Sequence, residues 1–270
     1  MRRWTGFLIA MTVSFGASGV ASAQQSGCVM PRADQVNPTV AAFVAPANGR
    51  FAYLYTVAAL SNSPKPVSEL WVAASPTDRT ATMTSPPNWN GLVSPAGYYS
   101  WISNGPGIAA GQSLDSFGVN AAELPSIVTF LALNEIELPV FPRGQAPEQC
   151  QGDKVVDNSF KGSTVGPKAP PSTDRIQLVN YLISLVHDAR RLNWIKRDGA
   201  QQSLLAKLIN TKRTLEMGDT ATAKITLSAF VQEVEATSCD DFSCHGNKPS
   251  TSEAYALLKF NADYLISRLP

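Results

Sequence analysis

The densest supply of reactive side chains in this chain is Cys239-Asp240-Asp241-Phe242-Ser243-Cys244-His245. Two cysteines separated by four residues and followed by a histidine form a C-x4-C-H arrangement, in which two thioether links and an adjacent imidazole would hold a haem, although the ordinary spacing is C-x-x-C-H. The same side chains would suit a metal only as thiolates, and oxidised cysteines are no longer such ligands. The favoured reading is a structural disulfide between helices, so no metal and no cofactor is expected. The other histidine, His187, stands beside Asp188. Adjacent helical residues point about 100° apart, so they make a poor orienting pair for a nucleophile. Glu135 and Glu137 share one face of a strand, about 6.6 Å apart along it. A carboxylate pair can run glycoside hydrolysis, but solvated neighbours at a strand end have the same spacing. No catalytic residue is assigned.

Aromatic residues are the stronger functional signal. Trp71, Trp89, Tyr98, Tyr99 and Trp101 crowd one stretch, and Trp89 sits in the turn-like segment Pro86-Pro87-Asn88-Trp89-Asn90-Gly91. An indole held in water by a loop marks a contact with carbohydrate or protein, whereas one that packs under its loop does not. Trp89, with Asn88 and Asn90 beside it, is therefore the expected ligand contact.

The compartment sets how the cysteines are read. Arg2 and Arg3, an apolar run over 7–20 and the A-x-A site at Ala21-Ser22-Ala23 have the form of an export leader over residues 1–23. The run is too short for a spanning helix, and no later stretch approaches the roughly 18 to 20 apolar residues that a bilayer requires. A secreted protein, extracellular or periplasmic, without a transmembrane segment is expected. Losing Arg2 and Arg3 turns the formal charge from +1 to −1. That balance excludes nonspecific nucleic-acid binding, which needs a clustered cationic excess. In an oxidising compartment Cys28, Cys150, Cys239 and Cys244 form two disulfides, with pairing inside each half of the chain favoured.

The elements that must position these residues divide the chain in two. Over 24–150, short β-favouring runs alternate with turns. Phe51, Tyr53, Tyr55 and Val57 lie on one face of a strand with Leu54 and Leu60 on the other, which reads as burial on both sides. Further runs are Leu70-Trp71-Val72-Ala73-Ala74, Tyr98-Tyr99-Ser100-Trp101-Ile102 and a stretch over 127–133, separated by Pro and Gly turns. About seven strands in an antiparallel β-sandwich of immunoglobulin or fibronectin type are expected. Residues 151–172, ending Lys168-Ala169-Pro170-Pro171, read as a Pro/Gly-rich linker. Gly162 to Lys168 departs too far from a phosphate-binding loop to be one.

From 173 to 270 the period changes from 2 to 3.6. Apolar stripes run through Ile176, Val179, Leu182, Ile183 and Val186, then through Leu204, Leu205, Leu208, Ile209 and Leu215. A third includes Phe230, Val231 and Val234, and a fourth Tyr255, Leu258, Ala262, Leu265, Ile266 and Leu269. Gly218 can close the second helix, Asp219 or Thr220 can cap the third, and Ser250 with Glu253 has capping-box spacing for the fourth. A small four-helix bundle follows. Asn193-Trp194-Ile195 before Gly199, Ser203-Leu204-Leu205-Ala206-Lys207-Leu208, Leu215 with Gly218, Leu227-Ser228-Ala229-Phe230-Val231 and Ala262-Asp263-Tyr264-Leu265-Ile266 carry a likeness over about 178–269. This part resembles the FIMAH helical domain of secreted bacterial proteins. The resemblance implies an accessory domain, often attached to extracellular proteases, lyases or glycosidases, and transfers no active site. The segment over 238–248, with its cysteine pair, departs from that family.

Together these residues point to a multidomain, all-β plus all-α protein that is secreted, non-enzymatic and binds or adheres to an extracellular glycan or protein. The alternatives are an extracellular carboxylate-dependent hydrolase, or an accessory subunit of one, and a haem or redox protein centred on Cys239 to His245.

Overall fold

A computed structural model describes residues 32–74, 78–94, 97–135, 156–239 and 248–270. The expected leader over 1–23, Cys28, Glu137, Cys150, Cys244 and His245 lie outside the described residues.

Among the described residues, nine strands and four helices follow in chain order. The strands are β1 (Pro38–Ala47), β2 (Arg50–Ala59), β3 (Glu69–Ala73), β4 (Thr82–Thr84), β5 (Trp89–Ser94), β6 (Tyr98–Ser103), β7 (Ser113–Ala121), β8 (Pro125–Leu133) and β9 (Phe160–Pro167). The helices are α1 (Arg175–Arg191), α2 (Asp198–Glu216), α3 (Thr220–Thr237) and α4 (Ser252–Ser267). The strands form two antiparallel sheets, ordered β1-β2-β7-β4 and β5-β6-β3-β8-β9. Asn48 and Gly49 set the first hairpin with φ of 52° and 76°, the left-handed pair that a two-residue turn between twisted strands demands.

Aromatic rings from the two sheets meet between them. Tyr55 of β2 lies 6.0 Å from Trp101 of β6, and Phe117 of β7 lies 5.8 Å from Trp101, centroid to centroid. The Trp101 indole N–H donates to the Thr84 carbonyl at 2.8 Å, so the buried ring keeps its polar edge satisfied. Tyr53, Tyr55 and Val57 are buried as their alternation requires. Leu54 and Leu60, however, are 36% and 40% exposed, which corrects the expectation that this strand is buried on both sides. Its second face is open to water, as an antiparallel sheet allows.

The segment expected as a linker is in part a strand. β9 pairs with β8 from Pro125 opposite Pro167 to Ala132 opposite Phe160, as the outermost strand of the five-stranded sheet. Glycine weakens a strand because it leaves a gap on the sheet surface. Here the Phe130 ring fills that gap: a Cβ built on Gly162 would stand 2.3 Å from it. Gly166 likewise lies under the Val128 side chain, at 2.6 Å by the same measure.

The helices pack in sequence, α1 on α2, α2 on α3 and α3 on α4, with α4 also against α1. Asp219 caps α3 by accepting from the Thr222 N–H at 3.0 Å, and Gly218, with φ of 79°, follows the end of α2. On α2 the buried positions are Leu204, Leu208, Thr211 and Thr214, while Ile209 is 59% exposed, so the stripe is narrower than its leucines and isoleucine suggest. Among the described residues no helix is long and apolar enough to cross a membrane.

The strands and helices share one apolar core, and α4 packs directly on β1, β8 and β9. Strand β1 is the edge of its sheet, so alternate backbone groups point away from β2. At Ala42 both are taken by the first turn of α4. The Glu253 carboxylate accepts from the Ala42 N–H at 2.9 Å, and the Ser252 hydroxyl donates to the Ala42 carbonyl at 2.9 Å. This corrects the capping-box reading: the N-cap is Thr251, without a side-chain cap bond, and Glu253 faces the strand. Asn261 donates to the Pro125 carbonyl at 2.8 Å, and the Ser126 and Tyr181 hydroxyls lie 2.8 Å apart, tying the helices to β8. Replacing Glu253 with Ala strands the buried Ala42 N–H without its acceptor. Urea unfolding of Glu253→Ala is expected to show a loss of about 1–3 kcal/mol.

Candidate functional site

Trp89 does not stand in water. It opens β5, is 7% exposed, and sets its indole edge-on against Phe117 at 5.0 Å. Asn88 takes φ of 64°, a left-handed conformation that asparagine tolerates, at the turn into the strand. The expected ligand contact is thus corrected to a core residue. Its two neighbours remain exposed and act together on a third amide: Asn90 Nδ2 donates to Asn104 Oδ1 at 3.0 Å, and the Asn104 N–H donates to the Asn88 carbonyl at 2.8 Å.

The remaining candidates are dispersed. His187 is exposed with Nδ1 3.3 Å from Gln201 Nε2, while Asp188 accepts from Arg191 at 3.1 Å. Cys239 is buried and is not a free thiol, and its possible partners lie outside the described residues. The basic side chains of the helices are engaged locally, Arg190 with Asp198, Lys207 with Glu233 and Lys212 with Glu216. That is the pattern of a solvated helix face, not of an anion site.

Two concavities bring functional groups together. The larger, about 650 Å³, is an apolar groove between α4 and the β1–β2 hairpin, lined also by the loop after β7 and by Ala169 and Pro170. Tyr255, Lys259 and Asp263 follow at intervals of four and so share one face of α4, with Phe260 and Tyr264 beside them. Phe51 of β2 meets Phe260 at 5.2 Å between centroids, and Tyr255 meets Phe260 at 5.9 Å. Lys259 spans the rim, 2.8 Å from Asp263 and 3.0 Å from Glu235 of α3. Burial pushes its ammonium down, but these two carboxylates outweigh that and hold its pKa above the usual lysine value. Tyr255 had been legible only as a core residue. The signal for the groove is the second, aromatic and charged row beside the buried row of Leu258, Ala262 and Leu265.

The smaller concavity, about 550 Å³, is polar and lies at one end of the five-stranded sheet. Ser68 and Glu69 enter β3 there, Ser103 and Asn104 leave β6, and Glu135 follows β8. Glu135 thus lines the same cleft as Glu69, a carboxylate supplied by β3. The Trp71 indole N–H donates to Glu69 Oε2 at 2.8 Å. Burial pushes the Glu69 pKa up, against the downward pull of that hydrogen bond.

No family model matches the chain, and no curated protein matches it. Among solved structures it is similar to an uncharacterized protein from Nocardia farcinica, whose crystal structure is said to reveal an immunoglobulin-like fold. Identity is 15% and the TM-score 0.28, over 53% of this chain and 96% of that one.

Truncating Trp89 empties part of the core, so Trp89→Ala is expected to lower stability by about 3–5 kcal/mol in thermal or urea unfolding. Glu69 gives a pH signature. Its folded pKa lies above its unfolded value, so ionisation costs the fold nothing below about 4.5, and the cost grows as pH rises through that value. Glu69→Gln keeps an acceptor for Trp71 and escapes that cost. The variant is expected to melt higher than the parent at pH 7 and no higher at pH 3.

Proposed function

We propose that the protein is an exported, non-enzymatic binding protein that holds a segment of an extracellular protein in the groove between α4 and the β1–β2 hairpin. In this reading the β part is an immunoglobulin-like sandwich and the helices form a FIMAH-like four-helix bundle. Disulfides Cys28–Cys150 and Cys239–Cys244 staple each part, as export into an oxidising compartment favours. The observation that carries the reading is the groove itself: a concavity of about 650 Å³ walled by aromatic rings, with few charged groups at its rim. Such sites suit a ligand that buries an apolar anchor. Glu123 and Asp263 outnumber Lys259 among the groove's charges, which favours an anchor flanked by a basic residue.

Ala45 lines the groove from β1, where a larger side chain would occupy the anchor's place. The neutral dye N-phenyl-1-naphthylamine is expected to brighten saturably with the parent protein, and Ala45→Trp to weaken that binding about tenfold or more at unchanged melting temperature. Peptides pairing an aromatic with a basic residue are expected to displace the dye. Equal dye affinity in parent and variant, or no displacement by such peptides, would rule the groove out as the site.

A further inference from the structure

The polar cleft at the end of the five-stranded sheet is separate from the groove and has a different chemistry. Glu69 offers a carboxylate fixed in direction, because Oε2 is held by the Trp71 indole N–H at 2.8 Å. Asn104 offers its amide N–H groups, because its Oδ1 is already committed to Asn90 at 3.0 Å and its backbone to Asn88 at 2.8 Å. Ser68 and Glu135 add a hydroxyl and a second carboxylate, and Ile102 and Pro106 supply small apolar faces. Gly107, with φ of 73°, lets the loop close over this end: a Cβ there would stand 2.5 Å from the Val67 carbonyl oxygen.

We infer that this cleft binds a neutral oligosaccharide. Acceptors, donors and apolar faces alternate within one cavity of about 550 Å³, which matches the hydroxyl edges and C–H faces of a sugar ring. A carboxylate accepting from sugar hydroxyls makes charge-assisted hydrogen bonds, the stronger kind. Anionic ligands are disfavoured because Glu69 and Glu135 would repel them. A tightly held metal ion is disfavoured too, because no group of three or more His, Cys, Asp or Glu side chains able to hold one gathers among the described residues. Lys65 lines an adjoining hollow with Glu135 and offsets part of the local negative charge, which weakens the case for a cationic ligand.

The Trp71 indole N–H reports on Glu69 directly. In ¹H–¹⁵N spectra, with its peak assigned by Trp71→Phe, titration with neutral hexasaccharides of the cello, xylo and manno series up to about 10 mM is expected to move that peak saturably for at least one series. Glu69→Gln and Asn104→Ala are each expected to weaken the affinity about tenfold, with the remaining indole peaks unmoved. Glu69→Gln keeps the Trp71 hydrogen bond, so its loss of binding would not reflect unfolding. No saturable shift with any series, or shifts of equal affinity in both variants, would overturn the proposal. Dye binding to the groove is unaffected by either result.

Discussion

The free backbone groups of a strand edge constrain much of this architecture. Strand β1 has a partner on one side only, and an edge left open invites pairing with another chain. Ser252 and Glu253 close it at Ala42 without adding a strand: a hydroxyl reaches the carbonyl and a carboxylate reaches the N–H. Because both come from the first turn of α4, the helix is fixed in position and direction at once. The helix then lies over β1, β8 and β9, with Phe260 reaching Phe51 of β2. The groove is what is left where a round helix meets a twisted hairpin that it covers only in part.

Much of the local structure was legible because local forces decide it. Period-two runs at Tyr53, Tyr55 and Val57 marked β2, and the runs around Leu70, Tyr99 and Phe130 marked β3, β6 and β8. Gly218 and Asp219 marked the α2–α3 turn through backbone needs that act within a few residues. What misled was chemistry with two local meanings. Glu253 has the spacing of a capping box, yet its partner lies 211 residues away, beyond any windowed pattern. The 160–167 stretch contains the glycines and proline of a loop, yet Phe130 and Val128 on the neighbouring strand fill its gaps. Ile209 continues a stripe that the threonines at 211 and 214 in fact occupy.

The site residues were less legible than the elements, for a related reason. Trp89 was singled out by its company of prolines and asparagines, which does mark a turn. The turn, however, delivers the indole inward onto Phe117 and leaves the amides outside, so the neighbours of the signalled residue carry the polar surface. The sequence pairs Glu135 with Glu137, and among the described residues Glu69, on the strand paired with β8 and 66 positions earlier, shares its cleft. Same-face spacing along one strand says nothing about what neighbouring strands bring alongside.

The contact at Ala42 also orders events in time. The β1–β2 hairpin can form from adjacent residues, but the groups that cover its outer edge come from the far end of the chain. Contacts at such sequence separation form slowly, because a long loop must close before they give any return. A chain made N-terminus first would therefore present an assembled but uncovered hairpin until α4 emerged. Until α4 docks, the uncovered edge of β1 is the part of the fold most open to pairing with a strand of another chain.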